Sequence, residues 1–315
     1  MLAKCPHRPA RVKLRRSLSA VKTLIVNADD LGVSREVNAA VAKAHREGIL
    51  TSASLMVAEA HRDEAARLAR ENPALDVGLH AVVCRGRSVL PPAQIAPAVD
   101  AMGRFPENPV LAGLRWYFDR QLRAKLEAEL RAQVEKHLEL VGYLNHINGH
   151  LNFHVHPIVA DILMDLAVEY KVSCLRMPCE PVLTTLSLRR DHAVRKALEA
   201  TIFRALSRRT RRLMRGRGLK STDSLFGLHQ SGRLDEDYIF AIIGRLREGT
   251  TELYFHPAMD IGETPPPAAA QVEVEILTNP RVRDALVAHG VRLINFADLA
   301  RSGARPDSGS AREHE

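Results

Sequence analysis

The chain has 315 residues, 46% apolar and 26% charged, with a net charge of +8. A chain of this size buries roughly three quarters of its unfolded surface, so one large core is available. The balance excludes collagen-like, wholly disordered and disulfide-scaffold proteins, and no apolar run nears the roughly 18 to 20 residues that cross a bilayer. Residues 1–20 read as a basic, flexible arm. Leu24-Ile25-Val26 then opens a series of short β-branched runs that alternate with helical stretches. Ser34 is a plausible N-cap for a helix to about Glu47, which Gly48 stops. A strand at 53–57, a helix at 62–70 and a strand at 76–79 follow. Residues 81–118 form a Pro- and Gly-rich insertion containing the only Trp, expected to cover the barrel mouth. A charged helix is expected over 120–141, then a strand at 144–149, a helix at 158–170 and a strand at 173–177. A basic helical segment at 189–220 precedes a strand at 224–228, a helix at 235–247 and a strand at 251–255. A helix at 271–288 and a strand at 291–295 complete the set, and 301–315 read as a flexible tail.

Alternating strands and helices imply a parallel sheet covered by helices. Seven or eight such units favour a closed α/β structure, a TIM-like (β/α) barrel, over an open doubly wound sheet. The barrel is expected to be one domain over residues 21–300. No G-x-G-x-x-G follows the first strand and no Walker A loop is present, so a nucleotide site is unsupported.

Charge is unevenly placed. Residues 1–28 carry +7 and residues 189–220 carry +10, which leaves −9 for the remainder. In the second segment Val194, Leu198, Ile202 and Leu206 recur every four residues among arginines, the pattern of a basic amphipathic helix. Such a stripe suits an anionic lipid surface or the protein's own core, and no nucleic-acid module accompanies it. Cys5, Cys84, Cys174 and Cys179 form no C-x-x-C pair, so a reducing compartment without disulfides is expected, with no secretory leader.

The chemistry-bearing residues fall at predicted strand ends. They are Asn27-Ala28-Asp29-Asp30-Leu31-Gly32, Gly78-Leu79-His80, the segment His146 to His156, and Tyr254-Phe255-His256-Pro257. In a (β/α) barrel those ends converge on one mouth. A carboxylate with two imidazoles suits a divalent ion such as zinc. A second carboxylate can serve as general base and a further histidine as general acid, the parts needed to hydrolyse an amide or ester. His45, His61, His137, His192, His229 and His289 are assigned structural places only.

On these residues the sequence resembles the YdjC/ChbG-like carbohydrate deacetylase family. The matching pieces are Leu24 to Gly32, Leu50 to Met56, Gly78 to His80, His146 to His150 and His256-Pro257, and the resemblance spans roughly residues 22–298. Val89-Leu90-Pro91-Pro92, Gly103-Arg104-Phe105-Pro106 and Phe153 to Pro157 look most like the hopanoid-biosynthesis-associated (HpnK) branch. The resemblance implies a distorted barrel related to the NodB polysaccharide deacetylases. It implies one divalent ion, magnesium or zinc, held by Asp30, His80 and His150. Asp29 would be the base, His256 the acid for the departing amine, and Arg176 the residue that orients the base. Asn152 and His154 are expected at the substrate. Three positions depart from the family pattern: Asn148 replaces Asp, Asn152 replaces His, and Leu31 replaces Phe. The first two put support of the centre or a substrate contact in question.

The implied reaction removes an N-acetyl group from an amino sugar, most specifically from an acetylglucosaminyl hopanoid lipid. A soluble N-acetylated oligosaccharide of the chitobiose type is the alternative substrate. Hydrolysis of another bond, an ester or phosphate, is the rival within enzymes, and a non-catalytic polar-lipid carrier is the rival outside them. The expected partners are a glycolipid or amino-sugar substrate, no nucleic acid, and peripheral membrane contact through residues 1–20 and 193–215. A homodimer is left open, and the expected location is cytoplasmic, at the inner face of the membrane.

Overall fold

The computed structural model describes residues 21–302. The expected arm at 1–20, and residues 303–315 of the expected tail, lie outside the described residues. The first strand, β1 (Lys22–Leu31), is longer than its apolar run and nearly all buried. β2 (Ser52–Leu55), β3 (Asp76–Ala81), β4 (His146–Gly149) and β5 (Cys174–Leu175) extend the sheet on one side of it. β7 (Gly249–Phe255) and β6 (Ser224–Phe226) extend it on the other, and all pairings between named strands are parallel.

The sheet curls until its edges meet. A single parallel bridge between Cys174 of β5 and Lys220, just ahead of β6, stitches them together. The short strand β8 (Val291–Leu293) pairs with Lys22–Leu24 of β1, while β2 pairs with Asn27 onward. Since β7 occupies one edge of β1 along Lys22–Ala28, β8 and β2 share the other. The result is the distorted (β/α) barrel expected, with seven strands in the ring and an eighth wedged at its base.

The helices pack outside. α1 (Arg35–Glu47) begins where Ser34 accepts a hydrogen bond from Val37 N–H, as its N-cap position predicts. α2 (Arg62–Glu71) follows β2. The insertion carries two helices, α3 (Pro92–Ile95) and α4 (Pro109–Phe118). α5 (Leu122–Val141) and α6 (Pro157–Glu169) flank β4. α7 (Val182–Leu188) and α8 (Ala193–Arg215) lie between β5 and β6, and α9 (Glu236–Ile243) between β6 and β7. The single helix expected over 271–288 is two, α10 (Ala268–Thr278) and α11 (Pro280–Ala288). Pro280 lacks an N–H and disfavours helical backbone before it, so the helix restarts there with Asn279 as cap. α12 (Phe296–Arg301), the last described element, begins with a capping box at Asn295. No described helix is long and apolar enough to cross a membrane.

The apolar core lies between sheet and helices. The barrel interior is different, because Asn27, Asp29, Ser54, His80, His146, Asn148, Arg176 and Glu252 are all buried there in one polar network. Short side chains leave room for the longer ones. A Cβ at Gly78 would fall 2.4 Å from the His146 ring, so that ring is admitted only because β3 has glycine there.

Candidate metal centre and active site

In a regular strand Asp29 and Asp30 would point to opposite faces. Here the β1–β2 register shifts between Ala28 and Leu31, and Asp30 takes a left-handed backbone at φ 61°. Such a conformation costs a non-glycine residue about 1–3 kcal/mol. The kink leaves Asp29 in the interior and aims Asp30 at the mouth, where it is partly exposed.

At the mouth Asp30 Oδ1 lies 3.2 Å from His80 Nε2 and 3.0 Å from His150 Nδ1. One ligand atom from each residue falls within 4.8 Å of the others, and this is a group of three able to hold a metal among the described residues. His80 comes from the end of β3. His150 opens a 3-10 turn (His150–Val155) directly after β4. His80 is set by its second ring nitrogen: Nδ1 donates to Asn148 Oδ1 at 2.7 Å. That leaves the Nε2 lone pair facing Asp30, the tautomer a ligand needs. Asn148 therefore supports the centre directly, and its amide also donates to Ser54 Oγ and Asp29 Oδ1. A hard carboxylate and two imidazoles, one held in the ligating tautomer, fit a divalent ion with positions left for solvent or substrate.

Asp29 is held from several sides. Arg176, fully buried, donates from Nη1 to Asp29 Oδ2 at 2.6 Å and from Nη2 to Oδ1 at 2.8 Å. Asn27 Nδ2 adds a third bond at 2.9 Å. Arg176 is in turn fixed by Glu252, which accepts from Nε at 2.8 Å, and by the face of Tyr254 beneath it, 4.5 Å from the ring centroid. Burial pushes the Asp29 carboxyl up, but the charge and hydrogen bonds of Arg176 work against it, and the pKa is held at about 2. Burial also raises Glu252, only partly offset by Arg176. One guanidinium between two carboxylates thus keeps Asp29 ionised at neutral pH, while Glu252 is the group pushed toward its neutral form.

His256 stands at the end of β7, partly exposed, with Nδ1 3.5 Å from Ser231 Oγ. Its backbone N–H donates to buried Glu273. It lies close enough to Asp29 for its charged form to favour the carboxylate. Asn152 is half-buried in a left-handed conformation at φ 58°, with Oδ1 unpaired among the described residues. His154 is fully buried, and among the described residues neither ring nitrogen has a hydrogen-bond partner. Burial and the charge of Arg176 lower its pKa to about 3. The placement of His154 is that of a neutral ring within the structure, without an open face for substrate.

Beside the triad opens a cavity of about 330 Å3, lined by Asp30 and His150 together with Glu59, Arg85, Arg87, Arg104 and Glu107. The insertion supplies half of the lining residues. Sequence reasoning did not assign Glu252, Asn27, Ser54 or these arginines. Strand periodicity carried a signal for the first two: Asn27 and Asp29 share one face of β1, and Glu252, Tyr254 and His256 one face of the chain through β7.

The model of the family described as YdjC-like protein matches residues 23–288. A carbohydrate deacetylase of Geobacillus stearothermophilus is 31% identical over 281 residues, which cover 87% of this chain and 97% of that protein. A chitooligosaccharide deacetylase of Salmonella paratyphi B is 46% identical over 68 residues, 22% of this chain and 27% of that protein. Among solved structures, one from Enterococcus faecalis V583, described in terms of cellobiose-phosphate cleavage, aligns with a TM-score of 0.69 at 22% identity. It covers 89% of this chain and 99% of that one, and it shares the fold.

Proposed function

The chain belongs to the YdjC-like protein family, and from that premise we propose that it is a metal-dependent carbohydrate deacetylase that hydrolyses the N-acetyl amide of an amino sugar. The observation that carries the reading is the Asp30–His80–His150 triad beside an Asp29 clamped by Arg176. A divalent ion held by the triad would polarise the amide carbonyl and make water a better nucleophile. Asp29, ionised and fixed in direction, receives the proton of the attacking water. Arg176 keeps both oxygens of that carboxylate in place. Water oxygen bonds to the acetyl carbon, the C–N bond breaks, and His256 gives a proton to the departing amine. Acetate and a free amino sugar leave.

The finer reading is an acetylglucosaminyl hopanoid as substrate, as in the HpnK branch, with residues 1–20 and α8 meeting the membrane that carries it, from the cytoplasmic side. The motifs Val89–Pro92 and Gly103–Pro106 support it, and both lie in the insertion that builds the cavity wall. A soluble chitobiose-type substrate is the second reading, favoured by the polar and charged lining of that cavity. Mass spectrometry separates them. The protein is incubated with the acetylglucosaminyl hopanoid and, separately, with diacetylchitobiose, before and after metal chelation. The proposal expects loss of one acetyl group from the lipid, abolished by chelation. Turnover of diacetylchitobiose alone selects the second reading, and turnover of neither overturns both.

A further inference from the structure

The outward face of α4 is entirely apolar. Val110, Leu111, Leu114, Tyr117 and Phe118 lie 52 to 72% exposed along one side of its ten residues. A single exposed leucine is unremarkable, but five large apolar side chains on one helix face, with no charge among them, mark an interaction surface. The helix is firmly seated beneath. Ala112 and Trp116 are buried, Trp116 Nε1 donates to Val83 O, and Gly113 O accepts from His156 Nε2. α4 is therefore a rigid platform whose free face has been left apolar. It packs on α6, and His156 and Phe153, at the end of the segment that begins with His150, lie against Gly113.

A second helix reaches the same turn. α8 packs on α6 and on His150–Val155, and its Arg209 binds Asp161 near the start of α6. The outward side of α8 is apolar at its N-terminal end, where Val194, Leu198 and Ile202 are exposed. Toward its C-terminal end that side carries the exposed Arg204, Arg208, Arg212 and Arg215. Among the described residues these four arginines form no ion pair, whereas Arg195, Arg209 and Arg217 do. An aromatic–aliphatic face beside a row of unpaired arginines is the chemistry that binds the interface of an anionic bilayer. A second protein copy would give no reason for the unpaired positive charge.

We propose that the α4 face inserts into the surface of an anionic lipid bilayer, with the α8 arginines on the headgroups, and so presents the metal centre to substrates carried by that bilayer. The proposal rests on the lipid-substrate reading for its purpose, but its test does not involve turnover. The full chain is mixed with vesicles of phosphatidylcholine alone or with phosphatidylglycerol added, and sedimented. Leu111→Ser/Leu114→Ser/Phe118→Ser changes only exposed side chains, and an unchanged thermal midpoint verifies its fold. The wild type is expected to sediment with the anionic vesicles, and the α4 variant to lose about tenfold or more in partitioning. Arg204→Gln, Arg208→Gln and Arg212→Gln should each cost about fivefold, with the loss shrinking at high salt. No binding by the wild type, or equal binding by the α4 variant, overturns the proposal. So does a wild-type dimer that the α4 substitutions turn into a monomer, which would assign that face to a second copy. Vesicle binding without deacetylation would leave the α4 surface standing and remove the catalytic reading.

Discussion

Asp29 and Asp30 are neighbours in sequence and chemically identical, yet the fold gives them different environments. The kink at Asp30 turns one carboxylate to the mouth with two imidazoles, and leaves the other inside on a guanidinium. That division depends on Arg176 being an arginine, since only a planar fork reaches both Asp29 oxygens and Glu252 together. Arg176→Lys should therefore keep the metal and leave KM near its original value while kcat falls by about 10- to 100-fold. A change in KM alone would assign Arg176 to substrate binding instead. At this scale the triad was legible because each member ends a predicted strand. The role of Asn148 was not, since an amide's partners depend on a strand pairing, His80 opposite Asn148, that the sequence does not display.

Among the elements, the alternation of strands and helices followed from periodicity and the start of α1 from Ser34, and the divided helix at Pro280 follows from the missing proline N–H. The insertion was legible as an irregular stretch at the barrel mouth, but its attachment was not. Its attachment depends on Glu129 of α5, which accepts from Val89 N–H at 2.8 Å and Leu90 N–H at 2.9 Å. Removing this carboxylate frees the segment that positions Arg87 and Arg104, which pair through their backbones beside the cavity. Glu129→Ala should raise KM roughly fivefold, the worth of about one net hydrogen bond, and leave kcat largely unchanged. An unchanged KM would mean that the insertion wall does not touch substrate. The stripe in α8 was read correctly as a helix, but its burial was open. The structure buries Lys196, Ser207, Thr210 and Met214, and leaves Val194, Leu198 and Ile202 outside. Lys196 is tolerated because its ammonium donates to Arg189 O and Asp191.

For the whole molecule, buried titratable groups make stability depend on pH. His137 and His154 are buried, and burial lowers both pKa values from the usual 6.5 to about 3. Each is neutral when folded and takes a proton readily only when unfolded. The stability that follows is full above pH 6.5 and is lost as pH falls toward 3. The loss is up to about 1.4 kcal/mol per pH unit for each histidine. Asp29 adds a further loss as pH drops from its usual 3.8 to about 2. The thermal midpoint of metal-free protein should therefore fall steadily between pH 7 and 4.5, and His137→Gln should flatten that slope. A flat profile for the unmodified chain would show that these rings are not held neutral.

The account as a whole depends on two carboxylates doing separate work around one divalent ion. The most direct measurement is kcat for acetate release by Asp29→Asn in protein whose metal content is determined in the same sample, with Asp30→Ala alongside. The expected result is one ion per chain in Asp29→Asn with kcat lowered by about 10²- to 10⁴-fold, and neither ion nor turnover in Asp30→Ala. Near-normal kcat in metal-loaded Asp29→Asn, or a full complement of metal in Asp30→Ala, would contradict it.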